Sequence, residues 1–406
     1  MTVQQEQIGL EFFADANIQN PYPLYDRMRA QGPVHPIADS GFYAVCGWDS
    51  ITDVLARPED FSSNLTATMT YAPDRGVSAY ELDRLGGPTH VLATADDPSH
   101  AVHRKMLVPQ LAVKRIGAAE DFVAETAQRL WLDALGSDGI EWMSAMANRL
   151  PMMVVGRILG VPDHDVDMLI ASGLAMTQLL DGLVDAVGLA AASAAATELH
   201  AYIGEHFESA AADPGDNLMG DLAIACATGE LDDFTARVMM LTLFSAAGES
   251  TASLLGSAMW VLTSQPDIQR ELRADGGLLG AFIEETLRYE APFRGHYRHV
   301  VHDTTLSGVT LPAGSRLLLL WGAANRDPAH FDAPNEFRLD RPKSKSHLTF
   351  GKGTHFCVGA ALARMEARIV LESVLAHTEW IDAVDTGRWL PSILVRRLER
   401  LRLAVT

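Results

Sequence analysis

Phe350-Gly-Lys-Gly-Thr-His-Phe-Cys-Val-Gly359 is the stretch on which the reading of this 406-residue chain turns. Gly351 and Gly353 stand where a tight loop needs positive φ or close approach to a flat surface. Cys357 lies at the end of that loop. Beyond it, Leu362, Met365 and Ile369 recur at helical spacing, so an amphipathic helix is expected to begin at once. A cysteine at a helix N-terminus faces unpaired N–H groups and the positive end of the dipole, and both favour thiolate over thiol. A single thiolate is a poor zinc site, since zinc takes about four ligands. It suffices as the one protein ligand on one side of a haem iron.

The string resembles the haem-ligand loop of the cytochromes P450, FxxGxHxCxG, at every defining position. The resemblance implies haem b, with Cys357 as axial ligand of its iron and Phe350, Gly351, His355 and Gly359 around it. It extends to other segments. Glu285-Thr-Leu-Arg288 matches the family's ExxR pair, and the i, i+3 spacing puts carboxylate and guanidinium on one helix face. Arg341, in Phe337-Arg-Leu-Asp-Arg341, stands where the family completes that group. The implied role of the three is structural. Ala324-Asn-Arg-Asp-Pro328 matches the family string that precedes this stretch. Asp97-Pro-Ser-His-Ala-Val-His-Arg104 resembles the helix that reaches the haem propionates, with His100 and Arg104 sharing a face. Arg298 and His355 are the other implied propionate partners. Several donors around two carboxylates is sound electrostatics, because buried carboxylates need partners. The resemblance covers essentially the whole chain. It implies a mainly α fold with small β-sheets, the cytochrome P450 fold, as one domain over residues 1–406.

Composition is compatible with that reading. Hydrophobic residues are 48% and charged residues 21%, which is globular and not disordered. The 32 basic and 52 acidic residues leave a net charge of −20, which argues against a nucleic-acid partner and an anionic membrane surface. Cys46, Cys226 and Cys357 form no disulfide framework, which suggests a reducing compartment and a cytoplasmic location. Neither a signal peptide nor a membrane span is expected. Helix is expected over about 98–290 and 358–376, and for Pro23–Gln31. The β-richer parts are about 33–60, 297–325 and 380–406, with turns at Gly308 and Pro312–Gly314 and a terminal hairpin. Residues 61–95, rich in turn formers and Thr, read as a long irregular loop. The pairs His100/His103 and His296/His299 are HxxH without a third metal ligand.

Asp232 or Asp233 caps a long helix that runs to about Ser264 and is stopped by Pro266. The helix is apolar nearly all round, hence buried. A polar island, Ala247-Gly-Glu-Ser-Thr251, interrupts it. The family pattern there is [AG]Gx[DE]T. Thr251 fits the threonine that steadies oxygen and its proton supply, and Ala247 and Gly248 fit the oxygen groove. The acid position holds Ser250 instead. Glu249 is rotated from it by about 100° and is expected to point elsewhere. Proton delivery is then through Ser250 and water, through Glu249, or from the substrate itself.

By family analogy the substrate-facing positions are residues 61–95, Met240, Phe244, Ala247, the segment Pro292–Tyr297 (Pro292, Phe293, Arg294, His296), and the turn at Ile393 and Leu394. Arg294, His296 and Tyr297, with Thr66, Thr68, Thr70 and Tyr71, suggest a substrate bearing amide or hydroxyl groups, such as a cyclic dipeptide, aromatic or polyketide natural product. The resemblance implies a monooxygenase using O2, a monomer fed by ferredoxin and ferredoxin reductase. His103, Lys105, Lys352, Arg364 and Arg368 are candidates for the basic docking face. The alternatives are radical C–C or C–N coupling without oxygen insertion, a non-enzymatic haem sensor, and a helical protein without haem.

Overall fold

The computed structural model describes residues 10–72, 76–82, 89–178, 183 and 186–406. Its axis is the expected central helix, Asp233–Ser264. The Asp232 carboxylate caps it by accepting from the Thr235 N–H at 2.9 Å. It ends at Ser264, and Pro266 opens the next helix, Pro266–Ala274. Met239, Met240, Phe244, Leu254, Leu255 and Met259 are all buried. They are enclosed by the helices Arg149–Leu159, Val166–Gln178, Ala186–Ala212, Leu279–Tyr289 and Ala360–Ala376. The central helix is long and apolar enough to cross a membrane by length and composition, but 56% of its most apolar window is buried within the protein.

Strands gather to one side, where the sequence is β-branched and turn-punctuated. The main sheet has the order β1-β2-β10-β7-β3, built from Val34–Ile37, Phe42–Val45, Arg316–Leu319, His296–Val300 and Phe61–Ser62. β10 runs parallel to β2 and antiparallel to β7, with Leu319 opposite His296 and Leu317 opposite Arg298. β8 (Thr304–Leu306) and β9 (Val309–Leu311) form a hairpin through Ser307 and Gly308, both at positive φ. The terminal hairpin pairs β11 (Ile381–Thr386) with β12 (Leu401–Val405), and β6 (Ile140–Glu141) adds a third strand.

Residues 61–95 depart from the expected irregular loop. Beyond β3 they hold an antiparallel hairpin of β4 (Ala67–Ala72) and β5 (Gly76–Glu81). Ala67 and Met69 bury one face of β4 beside Ile393 and Leu394. Alternation of small and apolar residues with Thr is strand chemistry, and the Thr content masked it. Residues 73–75 and 83–88 of that segment lie outside the described ones.

The Glu285 group takes its expected form. Arg288 donates to both Glu285 oxygens at 2.7 and 2.8 Å, and Arg341 Nε does so at 2.8 and 3.0 Å. The two guanidiniums also donate to the carbonyls of Asn325, Pro334 and Glu336. Every charge is buried and multiply bonded, the condition under which such a group is tolerated in a core. It pins the segment 325–341 beneath the helix Leu279–Tyr289 and so fixes the approach to the cysteine loop.

Candidate functional site

Gly351 and Gly353 adopt φ of 68° and 70°, the left-handed region that favours glycine. The Cys357 N–H donates to the Phe350 carbonyl at 2.8 Å and closes the loop. The helix Ala360–Ala376 follows, as expected. Burial pushes the Cys357 thiol up, while the N–H groups of Gly359 and Ala360 and the charges of Arg104 and Arg364 act to lower it. Neighbouring protein crowds Cys357, yet the residue keeps accessible surface. A Cβ at Gly359 would lie 3.9 Å from the sulfur, ordinary contact, so sterics within the protein do not explain that glycine.

Above the loop the structure collects hydrogen-bond donors. The rings of His100 and His355 are 4.1 Å apart, and both Nδ1 atoms are buried without a hydrogen-bond partner among the described residues, although Asp97 Oδ1 lies 3.5 Å from that of His100. Ser63 Oγ lies 2.9 Å from His355 Nε2. Arg298 is buried and donates to the Tyr297 carbonyl at 2.8 Å. Burial lowers Arg298 to about 10, against the opposing pull of Asp96. Asp96 is itself engaged by Ser62 Oγ and by the Ser63 N–H at 2.8 Å. Burial first, then Arg298 and His100, lower His355 to about 4. Arg104 shares a helix face with His100. The cluster gathers more donors than its own carboxylates, Asp96 and Asp97, take up, a chemistry that would suit the two propionates of a haem.

On the central helix, Thr251 is buried and no described residue hydrogen-bonds its hydroxyl. Ser250 Oγ donates back to the Ala246 carbonyl at 2.7 Å, the local bond usual for a helical serine. Glu249 does point elsewhere. It is buried, and Arg397 Nε donates to it at 2.6 Å. Burial raises the Glu249 carboxyl, and Arg397 and Thr177 pull it back down. A Cβ at Gly248 would come 2.5 Å from Met152 Cε, the flexible tip of a side chain on the helix Arg149–Leu159.

The segments expected to face substrate fall in two apolar clusters. Met240 and Phe244 are buried in the helical core, with Ala247 packed against it. Ile393, Leu394 and Phe293 join Ala67 and Met69 in a second apolar cluster. Pro292 accepts from the Arg396 N–H at 2.8 Å, and Arg294 N donates to Leu394 O at 2.6 Å, so the 292–294 and 393–397 segments are laced together. The polar side chains expected to reach substrate are mostly occupied by protein. Arg294 donates to Ile18 O at 2.7 Å. Tyr297 packs edge-on against Phe42. Thr66 accepts from Arg316 at 3.2 Å, Thr70 bonds Ser78, Thr68 is buried, and Tyr71 stacks on Phe13. His296 Nδ1 accepts from Trp321 Nε1 at 2.6 Å.

The expected basic face is thinner than the sequence suggested. His103 is buried, with Nδ1 accepting from the Leu92 N–H. Arg364 is clamped by Glu284, and Arg368 pairs with Glu120 and Glu372. Lys105 and Lys352 remain exposed, beside exposed Val102 and Phe356. Arg397, Ser63 and Trp321 were not legible as site residues, because their partners lie far away in sequence.

Comparison with known proteins agrees with this geometry. "Cytochrome P450 144" of Mycobacterium tuberculosis is 64% identical over 394 residues, 97% of this chain and 91% of that protein. The chain belongs to the cytochrome P450 family. The cytochrome P450 family model matches residues 198–393. The P450 monooxygenase PikC of Streptomyces venezuelae is 32% identical over 411 residues, covering 97% of this chain and 92% of that one. Among solved structures, ligand-free CYP164A2 of Mycobacterium smegmatis superimposes with a TM-score of 0.88 at 28% identity, covering 98% of this chain and 100% of the other. The P450 fold, oxidoreductase activity and haem b follow from that membership.

Proposed function

We propose that this P450 is a cytoplasmic, monomeric monooxygenase that inserts oxygen into a small natural-product-like molecule, with electrons from a ferredoxin and its reductase. The observation that carries this reading is the accessible Cys357 at the end of its Gly-rich loop, with the donor-rich cluster of His100, Arg298 and His355 above it. Cys357 would hold the iron, and His100, Arg104, Arg298 and His355 the propionates. The haem, when bound, supplies oxygen activation. The protein's own task is to position substrate, exclude water and deliver protons. Thr251 presents an uncommitted hydroxyl on the buried helix face and would hold a proton or water there. Ser250 is turned to its own helix and Glu249 to Arg397, so neither offers a free acid, and proton entry would run through water ordered at Thr251. Met240, Phe244, Ala247, Pro292, Phe293, Ile393 and Leu394 would form the substrate wall. Its apolar character favours a largely hydrocarbon body over the more polar scaffold that the threonines suggested. PikC, called a monooxygenase, and the "Vitamin D(3) 25-hydroxylase" of Pseudonocardia autotrophica, 30% identical, lend support. The test is a reduced-CO difference spectrum, then Soret-shift screening of natural products and product masses. A haem-thiolate band and a product gaining one oxygen are expected. Loss of two hydrogens, or a dimer mass, would replace insertion by coupling.

A further inference from the structure

His296 is a histidine whose proton has only one place to be. Trp321 Nε1 donates to its Nδ1 at 2.6 Å. An indole nitrogen can only donate, so Nδ1 must be the unprotonated acceptor and the neutral ring carries its hydrogen on Nε2. Burial, with the charges of Arg298 and His355, lowers this histidine to about 4, so it is neutral at physiological pH. The orientation is held from two sides. Leu319 of β10 sits opposite His296, placing Trp321 two residues beyond the pair, and the Phe293 ring lies edge-on at 5.3 Å. The side chain is only partly covered, and no described residue hydrogen-bonds Nε2. His296 and Arg298 are i and i+2 on β7, so both side chains leave the same face of the sheet. The donor cluster borders that face, for His355 is near enough to lower His296 and Arg298 near enough to lower His355.

We propose that His296 is an anion-positioning residue: its Nε2–H, fixed in tautomer by Trp321, donates to a carboxylate oxygen in the site beside Arg298. A neutral, preset donor gives direction without adding a further charge to a cluster that already holds Arg298. The carboxylate belongs either to a haem propionate or to a substrate acid. This inference rests on the haem-thiolate reading above, which fails separately if the wild type shows no reduced-CO thiolate band.

The test uses substrate-free holoenzyme of wild type, His296→Phe, His296→Asn and Trp321→Phe. Haem transfer to apomyoglobin is followed by the Soret band, and the histidine tautomer by 15N NMR of the ferrous CO form. Expected are an Nε2–H tautomer in the wild type and haem transfer roughly five- to tenfold faster in His296→Phe. His296→Asn, which keeps an N–H donor, should recover part of the loss. Trp321→Phe should weaken haem retention in the same direction while freeing the tautomer. A second arm titrates decanoic acid against methyl decanoate. If haem transfer is unchanged but His296→Phe loses a wild-type preference for the acid, the carboxylate is the substrate's. An Nδ1–H tautomer in the wild type overturns the proposal. So does a His296→Phe enzyme that matches wild type in both arms, including a pair of probes that neither protein distinguishes. Should His296→Phe fail to fold, the wild-type tautomer and the Trp321→Phe transfer rate decide alone.

Discussion

Cys357 sits between opposing influences: burial favours the thiol, while two backbone N–H groups and two guanidiniums favour the anion. Cys357→Ala removes the sulfur and keeps the backbone N–H that donates to the Phe350 carbonyl. The variant is expected to keep its far-UV circular dichroism and to lose the haem-thiolate CO band; an unchanged band would mean that another side chain binds the iron. Glu366 offers a different test of burial. It lies in the core of the helix that follows Cys357, Oε2 has no partner among the described residues, and burial pushes its carboxyl up to about 8. With the folded value above the unfolded one, its stability contribution is complete below about pH 4.5 and is lost as pH climbs through about 8. Glu366→Gln should flatten that decline and raise the melting temperature at pH 8 by a few degrees, about 1–3 kcal/mol. Thermal melts from pH 5 to 9 decide it; parallel wild-type and variant curves would mean that Glu366 ionises freely when folded. The sequence showed Cys357 because its neighbours in the chain are also its neighbours in space. It could not show Glu366 as a solitary buried acid, since an isolated Glu on a helix reads as solvent-facing.

The central helix shows what an element reveals by pattern and what it hides. Its cap at Asp232, its end before Pro266 and its burial all follow from residues within a few positions of each other. Asp232→Ala should cost about 1 kcal/mol, measured as a lowered denaturation midpoint. Helical rotation let Glu249 be expected to point away from the acid position, but its partner Arg397 lies 148 residues on and was invisible. The pair ties the central helix to the 393–397 segment, which carries the proposed substrate-wall residues Ile393 and Leu394. Glu249→Gln strands a buried guanidinium and should destabilise by about 3 kcal/mol. The double variant Glu249→Gln, Arg397→Met should recover much of that loss, because it leaves no charge unpaired. Equal denaturation midpoints for the Glu249→Gln and double variants would show that the bond at 2.6 Å carries little coupling. The β4–β5 hairpin was missed for a related reason. Its strands alternate, but the buried face is filled by Ala67 and Met69, and their cover, Ile393 and Leu394, comes from the far end of the chain.

Across the whole molecule, a net charge of −20 repels an acidic electron donor, so docking depends on a local exception. Five basic residues near the cysteine loop looked available in the sequence. Folding withdraws three of them, since His103 is buried and Arg364 and Arg368 are claimed by Glu284, Glu120 and Glu372. Lys105 and Lys352 stay exposed, and no described acid pairs with either, although Lys352 lies 5.1 Å over the Trp48 ring. Exposed Val102 and Phe356 give the same surface an apolar component. With so few free cations, each should matter to encounter and little to chemistry after docking. Lys105→Glu and Lys352→Glu are expected to raise the KM for an acidic ferredoxin roughly three- to tenfold at low salt, with kcat at saturating donor and the CO spectrum nearly unchanged. The gap between variants and wild type should close as ionic strength approaches about 0.5 M, where screening reaches within a few ångströms. A KM that ignores both charge reversal and salt would move the docking site away from the cysteine face.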